Sequence, residues 1–126
     1  MPPIFLDEEE LQREGGGGRA IESVIRVLVA RVGAGPVVES IENTLPAAQR
    51  LVGGYVESIS LGEGVSLMCN EEGKLRGLMP NLRLPGDLIR GDVFITRTNE
   101  NGDHVSLTDG DIARYTHWLR LAQVGQ

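Results

Sequence analysis

The segment that decides the fold is residues 53–75, GGYVESISLGEGVSLMCNEEGKL. Two runs in which apolar and polar residues alternate, 55–61 and 65–69, flank the turn Gly62-Glu63-Gly64. Alternation with a period of two is typical of a half-buried β-strand, and a glycine-containing turn between two such runs indicates a β-hairpin. A second turn, residues 70–74, closes the unit. The segment therefore predicts a hairpin in the middle of the fold, and it contains no recognisable catalytic set.

The segments before this hairpin predict two strands and a helix. Residues 21–32 form an apolar run, which indicates a central strand covered on both faces. Residues 37–42 alternate and are expected to return antiparallel to it. Residues 45–52 predict a short helix, because Asn43 or Thr44 can cap its first turn.

The segments after the hairpin predict a long connector, another hairpin and a helix. Residues 77–91 are rich in Leu, Pro, Gly and Arg, and we expect no regular structure there beyond a turn. Residues 93–98 and 104–107 flank an Asn-Gly turn, and Thr108 with Asp111 predicts a capping box for the last helix. The order ββαββ-loop-ββα predicts an α+β fold: an antiparallel sheet of about six short strands with two helices packed on one face.

Composition divides the 126-residue chain into an extension and one domain. Residues 1–21 combine an acidic run with four consecutive glycines and have little apolar surface, so we expect a flexible acidic, glycine-rich extension. Residues 22–126 are expected to form a single α+β domain. A hydrophobic content of 40% and a charged content of 24% are ordinary for a soluble globular chain.

Charge and cysteine content narrow the classes of function. A net charge of −6 is poorly suited to non-specific binding of a phosphate backbone. The single cysteine, Cys69, excludes an intramolecular disulfide and is compatible with a reducing compartment. No signal peptide and no run of about 18 apolar residues is recognisable, so the expectation is a cytoplasmic protein without membrane contact.

The potential catalytic and metal ligands do not form a convincing site. Cys69 lies on the apolar face of its strand with Val65 and Leu67, where a thiol behaves as a small hydrophobe. One cysteine with His104 and His117 at wide spacing falls short of a zinc signature. We therefore expect a protein that is not an enzyme and that needs no metal and no cofactor.

The candidate binding surface lies in the second turn and in the connector that follows it. Residues 70–74 fit a solvated turn, in which Asn70 makes an Asx-type bond and Gly73 supplies a positive φ. They also fit the polar rim of a ligand or partner site, because Asn and Arg side chains together can grip a base edge or a phosphate. The candidate binding residues are Asn70, Glu71, Lys74, Arg76, Asn81, Arg83 and Arg90.

Several segments resemble a known family. They are LVGGYVE at 51–57, CNEEGKLRGL at 69–78, PN at 80–81, IRGDVFI at 89–95 and GDHVSLT at 102–108. Together they resemble domain of unknown function 3846, small proteins of bacteria and their phages and plasmids, over about residues 24–120. The resemblance implies an accessory protein of a mobile element, often a phage, and it implies no activity.

The function expected from these observations is that of a non-enzymatic accessory binding module acting through protein–protein contacts. The expected partner is a host protein or a second copy of the chain, and an open sheet edge would serve as the dimer contact. The alternative is nucleotide or nucleic-acid binding through the Arg/Asn cluster in residues 70–97. For a phage-encoded protein, the expected location is the host cell cytoplasm.

Overall fold

The computed structural model describes residues 21–125. The predicted flexible extension therefore lies, except for Ile21, outside the described residues. The strands are β1 (Val24–Ala30), β2 (Val37–Glu42), β3 (Val56–Gly62), β4 (Val65–Asn70), β5 (Pro80–Leu84), β6 (Asp87–Arg90), β7 (Val93–Thr98) and β8 (His104–Val105). The helices are α1 (Leu45–Val52) and α2 (Asp109–Ala122), and neither is long and apolar enough to cross a membrane.

A six-stranded antiparallel sheet forms the framework of the described chain. Its strand order is β2-β1-β7-β4-β3, with the short β8 added to β7. The predicted hairpin of residues 53–75 is β3–β4, and its turn carries three positive φ angles, +94° at Gly62, +54° at Glu63 and +82° at Gly64. The sheet and the two helices confirm the predicted α+β class.

The sheet separates two apolar cores, one on each face. Along β7 the neighbouring residues Phe94 and Ile95 point to opposite faces, and both are fully buried. Ile95 packs in the core that contains Leu119 of α2, and Phe94 packs in the core that contains Ala48 of α1. The two helices therefore lie on opposite faces of the sheet, which corrects the prediction that they share one face. The cause is the double burial of the central strands, because each face needs its own cover.

The connector between the two predicted hairpins contains a hairpin of its own. β5 and β6 pair antiparallel in a separate two-stranded sheet, which corrects the expectation of an irregular 77–91 segment. Leu82 of β5 and Ile89 of β6 are buried in the core on the α2 side. These strands are short and are bounded by Pro80 and by the Pro85-Gly86 turn, so the turn residues hide the alternation in the sequence.

Both helices begin at the predicted caps. The Thr44 hydroxyl accepts a hydrogen bond from the Ala47 N–H at 3.3 Å. At α2, Thr108 Oγ1 accepts from the Asp111 N–H at 3.0 Å, while Asp111 Oδ2 accepts from the Thr108 N–H at 2.9 Å. This is the capping box that the sequence predicted. The caps orient the start of each helix over its face of the sheet.

Candidate functional site

The turn after β4 is fastened to the end of α1. Asn70 is buried, and its Nδ2 donates to the Val52 carbonyl at 3.1 Å, while its Oδ1 accepts from the Glu72 N–H at 2.8 Å. The second bond is the predicted Asx-type bond. Arg76 Nη1 donates to the Gly53 carbonyl at 2.9 Å. Two of the candidate binding residues thus hold the C-terminal end of α1.

Gly73 is required in this turn for a different reason from the one predicted. Its φ is not among the positive values of the described glycines, so the expectation of a left-handed conformation is wrong. A Cβ at this position would lie 3.0 Å from the Arg90 carbonyl oxygen. Such a distance is shorter than ordinary packing allows, so the absence of a side chain lets β6 approach the turn closely.

The basic candidates do not converge. Lys74 Nζ lies 2.6 Å from Asp87 Oδ1, and this contact holds the pKa of Asp87 below its usual value. Arg90 Nη1 donates to the Leu78 carbonyl at 3.0 Å. The Arg83 side chain is exposed on β5 and makes no hydrogen bond or ion pair with any residue between 21 and 125. Lys74 and Arg90 therefore serve separate local contacts, and Arg83 joins neither of them.

Asn81 lies in the core. It is fully buried, and its Nδ2 donates to the carbonyls of Ala30 at 2.8 Å and Gly91 at 2.9 Å. Its Oδ1 accepts from Gln123 Nε2 at 3.1 Å. The structure therefore places Asn81 at a junction of β1, β5 and the segment after α2, with no polar atom facing solvent.

Cys69 is also a core residue, as its position on the apolar face predicted. It is buried, and desolvation raises the pKa of its thiol to about 12. The thiolate is the reactive form of cysteine, so this residue has almost none at neutral pH. Cys69 is therefore unsuited to act as a nucleophile in the folded protein.

Four of the candidate residues line one cavity of about 390 Å³, which we call the acidic cavity. They are Asn70, Glu71, Lys74 and Arg90. The other charged residues of its lining are Glu57, Glu72 and Asp87, so four carboxylates face two cations. Because Lys74 is already paired with Asp87, this cavity is unfavourable for a phosphate or another anion.

A second cavity, of about 450 Å³, lies on the other side of the same turn, and we call it the α1 cavity. Its lining is Pro46, Gln49, Arg50, Gly53, Gly54, Tyr55, Glu72 and Arg76. Arg76 is the only one of the seven candidate binding residues in this lining. Tyr55 begins the alternating run 55–61 in the sequence, but in the structure it precedes β3 and is 65% exposed. The missed signal is an aromatic residue directly after two glycines at a helix end.

The outer strands of the sheet leave two open edges in the described chain. Directly after β2, the Asn43 N–H donates to the Ser23 carbonyl, which fixes the alternation of the β1–β2 ladder. The N–H and C=O groups of Val38, Ser40 and Glu42 therefore point away from β1. Val37 and Val38 are 50% and 42% exposed beside these groups. This edge, residues 37–42, is referred to below as the β2 edge.

Fold and surface together define a small α+β protein with an open, partly apolar sheet edge and two surface cavities. The chain belongs to the family described as a domain of unknown function (DUF3846), whose model matches residues 25–120. This match confirms the resemblance seen in the sequence. No curated protein and no solved structure matches the chain significantly. The family description names no activity.

Proposed function

We propose that this protein is a non-enzymatic binding module that acts through protein–protein contacts at the β2 edge. The observation that carries the proposal is the combination of outward N–H and C=O groups with the exposed side chains of Val37 and Val38. An exposed strand edge is a template on which a partner adds a strand, with main-chain hydrogen bonds giving affinity. The family resemblance leads us to propose further an accessory protein of a mobile element, with a host protein among its partners in the cytoplasm.

The opposite edge, β3, is less suited to pairing. The register of β3 against β4 shifts between Ser60 and Gly62, which is a bulge, and Glu57 is exposed on the strand. Bulges and charged side chains are features that prevent edge-to-edge association. The contrast with the valines of the β2 edge supports assigning the contact to β2.

A second copy of the chain matches the β2 edge when the two strands run antiparallel and are centred on Ser40. Val38 of one copy then lies opposite Glu42 of the other, and every outward N–H and C=O of the three edge residues finds a partner. Glu39 lies opposite Ile41, so no carboxylate faces another across the interface. Glu39 also pairs with Arg31 of its own chain. We therefore propose self-association as the first contact to test.

The alternative function, nucleotide or nucleic-acid binding through the Arg/Asn cluster in residues 70–97, receives less support. The cations in that range do not share one surface, because Lys74 and Arg90 line the acidic cavity whereas Arg76 lines the α1 cavity. Arg97 is held by two hydrogen bonds of 2.7 Å to Asp111. The one cavity that gathers several candidate residues carries more acidic than basic groups. A single basic groove would be needed to follow a phosphate backbone.

The test uses one proline substitution on each edge. Val38→Pro removes an outward N–H of β2 and leaves the β1–β2 ladder intact. Ser58→Pro is the matched control, because the Glu71 N–H bond to the Tyr55 carbonyl places the N–H of Ser58 on the outer side of β3. Circular dichroism checks that both variants fold.

Light scattering coupled to size exclusion, over a range of protein concentrations, measures the mass. We expect wild-type protein and Ser58→Pro to dimerise with rising concentration and Val38→Pro to remain a monomer. A dimer of unchanged strength in Val38→Pro would contradict the assignment to β2. If the wild type is a monomer throughout, self-association is refuted. A host partner must then bind wild type and Ser58→Pro and lose binding to Val38→Pro, or the proposed function fails.

A further inference from the structure

The α1 cavity has the size and the construction of a small-ligand site. Its volume of about 450 Å³ lies in the usual range of ligand pockets, roughly 300–1,000 Å³. Its wall at Gly54 is bare backbone. A Cβ on Gly54 would lie 2.8 Å from Asn70 Nδ2 and 2.9 Å from Arg76 Nη1, so a side chain there would have to displace these two groups. The cavity therefore stays open beside a turn that three hydrogen bonds hold in place.

An exposed aromatic ring lines this cavity. Tyr55 is 65% exposed, whereas Tyr115 and Phe94 are buried in the two cores. The chain has only two tyrosines, two phenylalanines and one tryptophan, so an aromatic side chain left on the surface is conspicuous. Aromatic rings with an open face stack on planar ligands such as nucleobases.

Two guanidinium groups line the same cavity. Arg76 uses Nη1 for the Gly53 carbonyl, and the other N–H groups of its guanidinium make no hydrogen bond within residues 21–125. The guanidinium of Arg50, in the last turn of α1, makes no hydrogen bond or ion pair with the residues that the structure describes. The C-terminal end of α1 carries a partial negative charge that would repel an anion. The Arg76 guanidinium is bonded to the Gly53 carbonyl at this end and offsets the repulsion. Arginine pairs of this kind bind phosphate through directed N–H groups.

The cavity also contains one carboxylate, that of Glu72. The Arg76 N–H donates to the Glu72 carbonyl at 2.8 Å, so the two residues are one helical turn apart and their side chains share a side. Glu72 can accept a hydrogen bond from the exocyclic amino group of adenine, guanine or cytosine, whereas uracil presents a carbonyl oxygen instead. A ring, two cations and one acceptor thus match a ligand with a flat amino-bearing base and a phosphate.

We propose that the α1 cavity binds a nucleotide, with its base stacked on Tyr55, its amino group on Glu72 and its phosphate on Arg50 and Arg76. The same chemistry occurs in a free nucleotide and in an unpaired residue of a single strand. The net charge of −6 opposes a polyanion, and so the proposal takes the free nucleotide as the ligand. Arg50 also lines a cavity with Glu39 and Glu42 of β2, but no residue of the β2 edge lines the α1 cavity. The proposal therefore does not depend on the function proposed for that edge.

The test is a ¹H–¹⁵N titration of the full chain at low ionic strength with AMP, GMP, CMP, UMP and inorganic phosphate. We expect saturable shifts at the amides of Gly53, Gly54 and Tyr55 with the amino-bearing nucleotides, and weaker binding of UMP. Tyr55→Ala should weaken binding about tenfold, because each base stacked on an aromatic ring contributes that much or more. Arg50→Ala should weaken it by a similar factor. Arg83→Ala is the matched control and should leave it unchanged.

Several results would overturn the proposal. They are the absence of saturable shifts with every nucleotide, an equal response to inorganic phosphate alone, and unchanged binding by Tyr55→Ala. A short single-stranded oligonucleotide provides the second arm of the test. If the oligonucleotide binds more tightly than AMP, and if Tyr55→Ala and Arg50→Ala both lose this binding, the cavity recognises a base and a phosphate as proposed. The ligand is then a nucleic-acid strand and not a free nucleotide. Val38→Pro should bind nucleotide as the wild type does, so failure at one surface is distinguishable from failure at the other.

Discussion

At the scale of single residues, Asn81 shows how a polar side chain can serve the core. In the sequence it stands in an arginine-rich connector, where an amide indicates a ligand contact as readily as a structural one. In the structure its amide joins Ala30, Gly91 and Gln123. Buried polar groups are almost always paired, but residue type alone does not reveal which polar groups are buried. Its role could therefore not be predicted without the fold.

Replacing Asn81 should be costly, whereas replacing its exposed neighbour should not. Asn81→Ala leaves the carbonyls of Ala30 and Gly91 without their buried donor, so we expect a loss of about 2–3 kcal/mol in the free energy of unfolding. Arg83→Ala removes only an exposed side chain and should change it by less than about 0.5 kcal/mol. Urea denaturation measures both. Equal effects of the two substitutions would contradict the junction described here.

At the scale of elements, the segments predicted correctly are those with local signals. The capping residues Thr44 and Thr108 satisfy helix ends within one turn of the chain, so their roles are legible in sequence. The glycines on either side of Glu63 mark the hairpin turn in the same way. The β5–β6 hairpin was missed because its stability depends on Leu82 and Ile89 packing against distant segments. Tertiary burial of this kind leaves little periodic pattern in strands of five and four residues.

The ladder of β2 makes a prediction about amide exchange. The N–H groups of Val38, Ser40 and Glu42 point outward, whereas those of Glu39 and Ile41 face β1. In the monomer at low concentration, we expect the inward amides to exchange with deuterium at least about tenfold more slowly than the outward ones. Hydrogen exchange followed by NMR measures each amide. Uniform rates along β2 would contradict the assigned alternation, and protection that grows with concentration would indicate pairing of copies.

An ion pair ties the first turn of α2 to β7. Arg97 donates to both carboxylate oxygens of Asp111 at 2.7 Å, and this contact lowers the pKa of Asp111 to about 2. Asp111→Asn should lower the free energy of unfolding at pH 7 by about 2 kcal/mol. The effect should disappear as the pH falls from about 4 towards 2, since the folded-state pKa lies below the usual value near 3.9.

The matched control for this prediction is Asp109→Asn in the same helical turn. Asp109 pairs with Arg26, but its side chain is almost fully exposed, so its removal should have little effect. Urea denaturation at pH 7 compares the two variants. Comparable losses for Asp109→Asn and Asp111→Asn would show that helix-end charge alone explains the result.

At the scale of the whole molecule, the central sheet explains both the correct class and the wrong placement of the helices. The apolar run of β1 correctly indicated burial on both faces, and Val27 and Leu28 are indeed buried in different cores. Double burial requires two covering layers. The sequence did not reveal which helix covers which face, because the β1–β7 and β4–β7 pairings that set the sheet order join distant segments.

Acid should destabilise the whole domain through His104. Burial lowers the pKa of His104 to about 4, whereas histidine in an unfolded chain titrates near 6.5. The unfolded state therefore binds its proton first, and stability present above about pH 6.5 is lost as the pH falls towards 4. We expect the free energy of unfolding to fall by about 2 kcal/mol between pH 7 and pH 5.

Urea denaturation at the two pH values measures this loss. His104→Gln should have a nearly flat free energy of unfolding over the same interval, because the titrating group is gone. Any cost of the substitution itself appears at both pH values and does not affect the comparison. A wild-type stability that is the same at pH 7 and pH 5 would show that His104 is not neutral and buried as described.

The place of β7 between β1 and β4 has a consequence for biosynthesis. When β1 and β2 leave the ribosome, the strand that completes the inner edge of β1 has not yet been made. Until it arrives, the nascent chain presents a strand that is apolar on both faces and unpaired on one side. Such a segment is prone to aggregation and depends on non-local contacts that form slowly. Overproduction of this protein should therefore benefit from slow translation and from chaperones that shield nascent strands.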